Sequence, residues 1–149
     1  MRWDEGEMHS KLHGEAARGL GGYVHAVARE VGVSPEAINY EVSDTATAYL
    51  ALNRRAPNYP DRDLMLIWGE RDGWVVAVET APAEAPIVLA YLGRDVLPAP
   101  HVVARFVTDL VAGCNPGQVT APRLRSAGDR DDLAERLAGY GVHCPDGLA

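Results

Sequence analysis

The sequence predicts an α+β domain: an antiparallel sheet of four to five strands packed against flanking helices, in the order α-β-β-β-β-β-α-α. Three observations carry this reading. Helical periodicity appears near the start and again after residue 98, and five short apolar or alternating runs fill the stretch from Ile38 to Leu92. The loops between those runs are short, whereas a parallel crossover needs about a dozen residues or more. Helices laid on such a sheet give two layers around one core. Several runs are apolar on both faces, so either helices cover both sides or one side meets a second subunit.

Residues 1–13 are polar and unpatterned and read as a flexible N-terminal arm, with residues 14–149 as a single domain. The first helix is expected from near Glu15. Leu20, Tyr23, Val24, Val27, Ala28 and Val31 recur on one face, the spacing of an amphipathic helix. Gly32 stands where a helix ends, while Gly19, Gly21 and Gly22 weaken its first turns by roughly 1 kcal/mol each relative to alanine. Ser34-Pro35-Glu36 resembles a helix start that nothing sustains, so a turn follows. Ile38-x-Tyr40-x-Val42 alternates as a strand, Ser43-Asp44 supplies a turn, and Thr45 to Asn53 forms a second strand.

Pro57, Pro60 and Asp61 mark a surface loop. The continuous apolar run Leu64 to Trp68, the turn residues Glu70-Arg71-Asp72-Gly73 and the second run Trp74 to Thr80 together read as a β-hairpin. A proline-bounded loop from Ala81 to Pro86 precedes a further strand, Ile87 to Leu92. Pro98-Ala99-Pro100 opens a helix whose apolar face is Val102, Val103, Phe106, Val107, Leu110 and Val111, and Gly113 ends it. Residues 118–128 hold a short extended segment. Asp129 to Gly139 is a last helix, with acidic residues in its first turn as the macrodipole favours.

The chain has 149 residues and a net charge of −7. That is one domain's length, and the sign of the charge disfavours binding to phosphate backbones. Neither a signal peptide nor a membrane-length apolar run is visible, and Cys114 and Cys144 show no metal or redox spacing. The chain therefore reads as cytoplasmic, with reduced thiols. Lys11 is the single lysine among 14 basic residues, a bias that suits a GC-rich genome.

The segments Ala48-Tyr49-Leu50-Ala51-Leu52, Tyr59-Pro60-Asp61-Arg62-Asp63-Leu64, Gly73-Trp74-Val75-Val76-Ala77-Val78-Glu79 and Leu89-Ala90-Tyr91-Leu92-Gly93 resemble a family of small actinobacterial proteins of unknown function, over roughly residues 20–112. The resemblance implies an actinobacterial origin and a single domain. It implies no active-site residues.

No coherent catalytic set emerges. His9 and His13 have helical spacing, but Ser10 stands where a zinc peptidase needs its glutamate. His25 is expected beside the first helix's apolar stripe, partly buried and hydrogen-bonded, and His101 at the start of the second helix. Cys144 adjoins His143, which does not by itself position a base for a thiol. Gly19-Leu20-Gly21-Gly22 lacks the strand before it and the lysine after it that a phosphate loop requires.

The candidate acids are Asp61, Asp63 and Glu79. Two carboxylates spaced i, i+2 on a strand share a face, so Asp61 and Asp63 could bind a cation or shift one another's pKa. The plainer reading makes Asp61 part of a turn and Asp63 the start of a strand. Glu79 ends an apolar strand. Of the aromatics in or beside the strands (Tyr40, Tyr49, Tyr59, Trp68, Trp74, Tyr91), the candidates for a ligand pocket or interface are Tyr49, Trp68, Trp74 and Tyr91. No metal site or cofactor is expected.

The functional expectation is a non-catalytic binding or regulatory module acting through a protein partner or a homodimer, not on nucleic acid or membrane. The alternative is a small enzyme or ligand carrier of specialised metabolism. There an apolar pocket between sheet and helices would use Asp61, Asp63 or Glu79 as acid or base and Trp68, Trp74 or Tyr91 as walls. A transcription factor is disfavoured by the charge and by the lack of a clear helix-turn-helix.

Overall fold

The computed structural model describes residues 5–43, 45–93, 95–114, 116–122 and 130–142. Its elements are α1 (Glu5–Val31), β1 (Ile38–Val42), β2 (Ala46–Ala51), β3 (Leu64–Gly69), β4 (Gly73–Val78), β5 (Ile87–Tyr91), α2 (Pro100–Val111) and α3 (Arg130–Val142). The strands lie in sequence order and each neighbouring pair is antiparallel. This is the α+β architecture the sequence predicts, with five strands.

Most boundaries agree with the sequence reading to within one to three residues. Ser34-Pro35-Glu36 opens only a single 3-10 turn, Pro35–Ala37. Gly32, at φ +92°, ends α1, and its N–H and that of Val33 both reach the Ala28 carbonyl. The β3–β4 loop closes on Gly73 at φ +73°, a left-handed position that glycine fills without strain. Asp44, in the β1–β2 turn, lies outside the described residues.

One boundary differs. Helix α1 begins at Glu5, not near Glu15, so the segment read as an arm is helical backbone from Glu5 onward. The apolar stripe reports only where a helix docks. Glu5, Glu7, Met8, Lys11 and Leu12 are themselves good helix formers and need no docked face to continue the helix.

The core occupies one side of the sheet. Leu20, Tyr23, Val24 and Val27 of α1, Val103, Phe106, Val107 and Leu110 of α2, and Leu133 and Leu137 of α3 form one cluster with Ala48, Leu50, Leu64, Leu66, Trp68, Trp74, Val76 and Val78 of the sheet. Tyr23 is its polar node. Its hydroxyl donates to the Pro98 carbonyl at 2.6 Å and accepts from the Trp74 indole N–H at 2.9 Å. Its ring meets Tyr140 edge-on at 4.9 Å. The Trp68 indole donates to the Val96 carbonyl at 2.6 Å. Both buried indoles are thus satisfied, which removes the desolvation cost of an unpaired N–H. Burial pushes the Tyr23 phenol well above the ordinary tyrosine range, partly offset by the Trp74 hydrogen bond.

The three glycines that weaken α1 by propensity have a tertiary reason to be there. A side-chain carbon at Gly19 would collide with the Leu137 backbone of α3, and one at Gly22 would come within 2.7 Å of the Tyr140 carbonyl. At Gly21 it would meet the Tyr40 hydroxyl of β1 at 2.6 Å. At Gly19 and Gly22 the missing side chains let the α3 backbone approach α1 closely, whereas at Gly21 the neighbour is only the end of the exposed Tyr40 side chain. Arg136 reinforces α3 by gripping Asp95 with two hydrogen bonds, at 2.8 and 3.1 Å.

Gly19→Ala and Gly22→Ala should each lower the melting temperature, although alanine favours an isolated helix by about 1 kcal/mol. Unchanged or raised melting temperatures would show that the α1–α3 contact has no steric limit. The Arg136 fork holds the Asp95 carboxyl below its ordinary value of 3.8. A carboxylate depressed by folding stabilises above its unfolded pKa, and that contribution is lost as pH falls through the folded value. The stability gap between wild type and Asp95→Asn, at most about 1 kcal/mol for so exposed a pair, should therefore shrink below pH 3.8 when measured by urea unfolding.

Candidate functional site

The side of the sheet away from the helices carries the most distinctive surface. Successive side chains on a strand point to opposite faces, and the register aligns Asn39, Tyr49, Ile67, Val75 and Tyr91 in one row across all five strands. Ala51, Met65, Ala77 and Val88 form the next row. Met65, Val75 and Ala77 are buried, yet none joins the core cluster, and Tyr49, Ile67 and Tyr91 do not pack against it. The outward face is therefore a second apolar surface. Among the described residues, no helix side chain of the core cluster shares it.

Polar groups close one end of this surface. The Tyr49 hydroxyl donates to Glu79 Oε1 at 3.1 Å, spanning the outward side of β3 to do so. Burial raises the Tyr49 pKa above its ordinary 10.0, and the Glu79 charge and hydrogen bond raise it further. The Glu79 N–H donates to the Asp63 carbonyl at 2.9 Å. Asp63 in turn accepts from Arg55 Nε at 3.2 Å, and Arg62 reaches the Glu79 carbonyl at 3.5 Å.

The predicted site residues divide accordingly. Tyr49, Tyr91, Asp63 and Glu79 come together on or at the end of the outward face. Trp68 and Trp74 pair with each other on the opposite face and are fully buried in the core. Asp61 is exposed in the preceding loop. Ile67, Val75 and Met65 complete the surface and are not picked out by the sequence. They sit in runs apolar at every position, where alternation gives no signal.

Two adjoining clefts flank β5. One, of about 700 Å³, is lined by Leu92, Phe106 and a stripe of α2 comprising His101, Arg105 and Asp109. Its neighbour, of about 680 Å³, lies between Pro57–Tyr59, β5, the end of α2 and the segment from Pro116 to Thr120. Neither cleft contains Asp61, Asp63, Glu79, Trp68, Trp74 or Tyr91.

Cys114 is exposed at the second cleft. His25 lies on the exposed side of α1, where its Nδ1–H donates to the Gly21 carbonyl at 2.7 Å and its ring meets Tyr40 edge-on. His9 and His13 fall on the helical backbone of α1, with side chains outside the described set, and His143 and Cys144 lie outside the described residues. Among the described residues no three His, Cys, Asp or Glu side chains gather to hold a metal ion. No helix among them is long and apolar enough to cross a membrane.

Fold and site together define a two-layer α+β domain with its helices on one side of a five-stranded meander and an apolar surface on the other. The chain belongs to a family of unknown function, DUF6292, whose model matches residues 23–109. The match agrees with the resemblance seen in the strand segments. It spans all five strands and most of α2, and it stops before the segment that lines the second cleft. No curated protein and no solved structure matches the chain.

Two tyrosines, Tyr23 and Tyr49, should titrate above the ordinary value of 10.0. Tyr49→Phe should remove one late-titrating group from the tyrosinate absorbance curve and leave the other. Because an unfolded chain ionises these phenols first, stability should fall as pH rises through 10.0. A titration curve unchanged by Tyr49→Phe would place the Tyr49 phenol in solvent.

Proposed function

We propose that the chain is a non-catalytic binding module that acts through a protein partner, the first such partner being a second copy of itself. The docking surface is the outward sheet face. The observation that carries this reading is the separation of that face from the core: half-buried Tyr49, Ile67 and Tyr91 lie in one register row with buried Val75, beside buried Met65, and all five stand outside the core cluster. Partly exposed apolar side chains grouped on one face and rimmed by polar groups suit an interaction site. Aromatic residues are also enriched at interface centres.

The placement of the acids supports a binding role over a catalytic one. Asp63 is engaged by Arg55 and Glu79 by Tyr49, and neither faces a described cleft. The net charge of −7 opposes self-association, so salt that screens the repulsion should strengthen a dimer formed through this uncharged surface.

Light scattering tests the reading directly. Wild type should show a dimer mass that persists or grows with added salt. Ile67→Arg should give a monomer with an unchanged far-ultraviolet circular dichroism spectrum. A monomeric wild type that also captures the same proteins from its host as Ile67→Arg does would overturn the proposal.

A further inference from the structure

The outer edge of β5 is a second place where the fold is unfinished. β5 is the last strand of the sheet. Among the described residues its outer edge is paired only at Tyr91, whose N–H and carbonyl exchange hydrogen bonds of 2.7 and 2.8 Å with Gln118. That antiparallel pairing shows that this edge accepts extended backbone. Gly117 makes the approach possible: any side-chain carbon there would strike the Tyr91 carbonyl and come within 3.0 Å of Phe106. The contact ends at Gln118. From Ile87 to Ala90 no strand among the described residues continues it.

Proteins ordinarily protect such edges with charge, proline or cover, because the unpaired backbone groups template another strand. Here Ile87 and Val88 are 40% and 43% exposed, and Val119, which lines the cleft with Leu89 and Ala90, is 80% exposed. The strand's bulge, opposite Val76 and Ala77, and Pro86 just before Ile87 restrict the edge to a few residues. The cleft of about 680 Å³ opens against Leu89 and Ala90 of this strand. Among the described residues its lining contains no Asp, Glu, Lys, Arg or His. A cleft with this lining suits an uncharged apolar side chain and offers no counter-charge to an ionic one.

We propose that the edge of β5 from Ile87 to Ala90, with the adjoining cleft, binds an extended segment of a partner protein as an added strand. The added strand continues the line of pairing that Gln118 begins. Its backbone takes the free edge, and one apolar side chain enters the cleft beside Leu89 and Leu110. Backbone pairing of this kind supplies affinity while the alternate side chains supply specificity. The inference goes beyond the outward-face reading, since it uses a different surface and survives if the chain proves monomeric.

The test uses the full chain and a displayed library of unconstrained linear peptides of about twelve residues. Enriched peptides should alternate, with uncharged apolar residues at every second position. Their synthetic forms should protect the amides of residues 87–90 from hydrogen exchange. Cys114→Arg, which puts a charge into the cleft at an exposed position, should weaken binding by about tenfold or more. Proline at a central position of the peptide should do the same. Ile67→Arg, on the outward face, should leave peptide binding unchanged while altering the oligomeric state, which separates failure of this proposal from failure of the other.

The proposal is overturned if no peptide enriches, or if bound peptides protect residues 47–51 and 65–69 instead. It is also overturned if Cys114→Arg binds as wild type does. Concentration-dependent protection of residues 87–90 without peptide would overturn it too, by showing that a second copy of the chain occupies the edge.

Discussion

A single buried phenol ties the layers together. The Tyr23 hydroxyl accepts from Trp74 of β4 and donates to the carbonyl of Pro98, the residue that leads into α2, while its ring meets Tyr140 of α3. Three parts of the chain are held to α1 by one side chain. The arrangement works because a phenol hydroxyl both donates and accepts, so one atom satisfies a buried indole and a buried carbonyl at once. Phenylalanine would fill nearly the same volume and leave both orphaned, at a cost of about 1–3 kcal/mol for each group.

That node also explains why the sheet has two unlike faces. The indoles of Trp68 and Trp74 need partners, and only the helix side supplies them, through Val96 and Tyr23. Once the tryptophans turn inward, strand alternation sends Tyr49, Ile67, Val75 and Tyr91 outward. The apolar character of the outward face thus accompanies the satisfying of the core, with Tyr49, Ile67 and Tyr91 left half-buried there. Close approach of α3, permitted by Gly19 and Gly22, places all three helices in one core cluster on the same side.

The polar groups follow a similar division. Tyr49 and Glu79, Asp63 and Arg55, and Asp95 and Arg136 each form pairs at or near the surface. None of these pairs lines either of the two clefts described. The clefts beside β5 are bounded by α2 and by the segment that Gly117 presses against Tyr91. Outward face and β5 edge are therefore two distinct surfaces of the described residues.

Local pattern alone determined the strands, the helices α2 and α3, the turn at Ser34-Pro35 and the stop at Gly32, because periodicity and glycine or proline stereochemistry act over a few residues. Short loops determined the antiparallel pairing of β1 with β2, β3 with β4 and β4 with β5 for the same reason, whereas the twelve-residue β2–β3 connection left that pairing to the fold. Pattern could not orient β3 and β4: Leu64 to Trp68 and Trp74 to Val78 are apolar at every position, so alternation is silent and only packing chooses a face. That is why Tyr49, Trp68, Trp74 and Tyr91 read alike in the chain and part company in the fold. The tertiary structure also decided what Gly19, Gly21 and Gly22 are for and that Gln118 would cap one end of β5. Gly19, Gly22 and the Gln118 pairing depend on backbone approaches, and Gly21 on a side-chain one, between residues far apart in sequence, which no local spacing records.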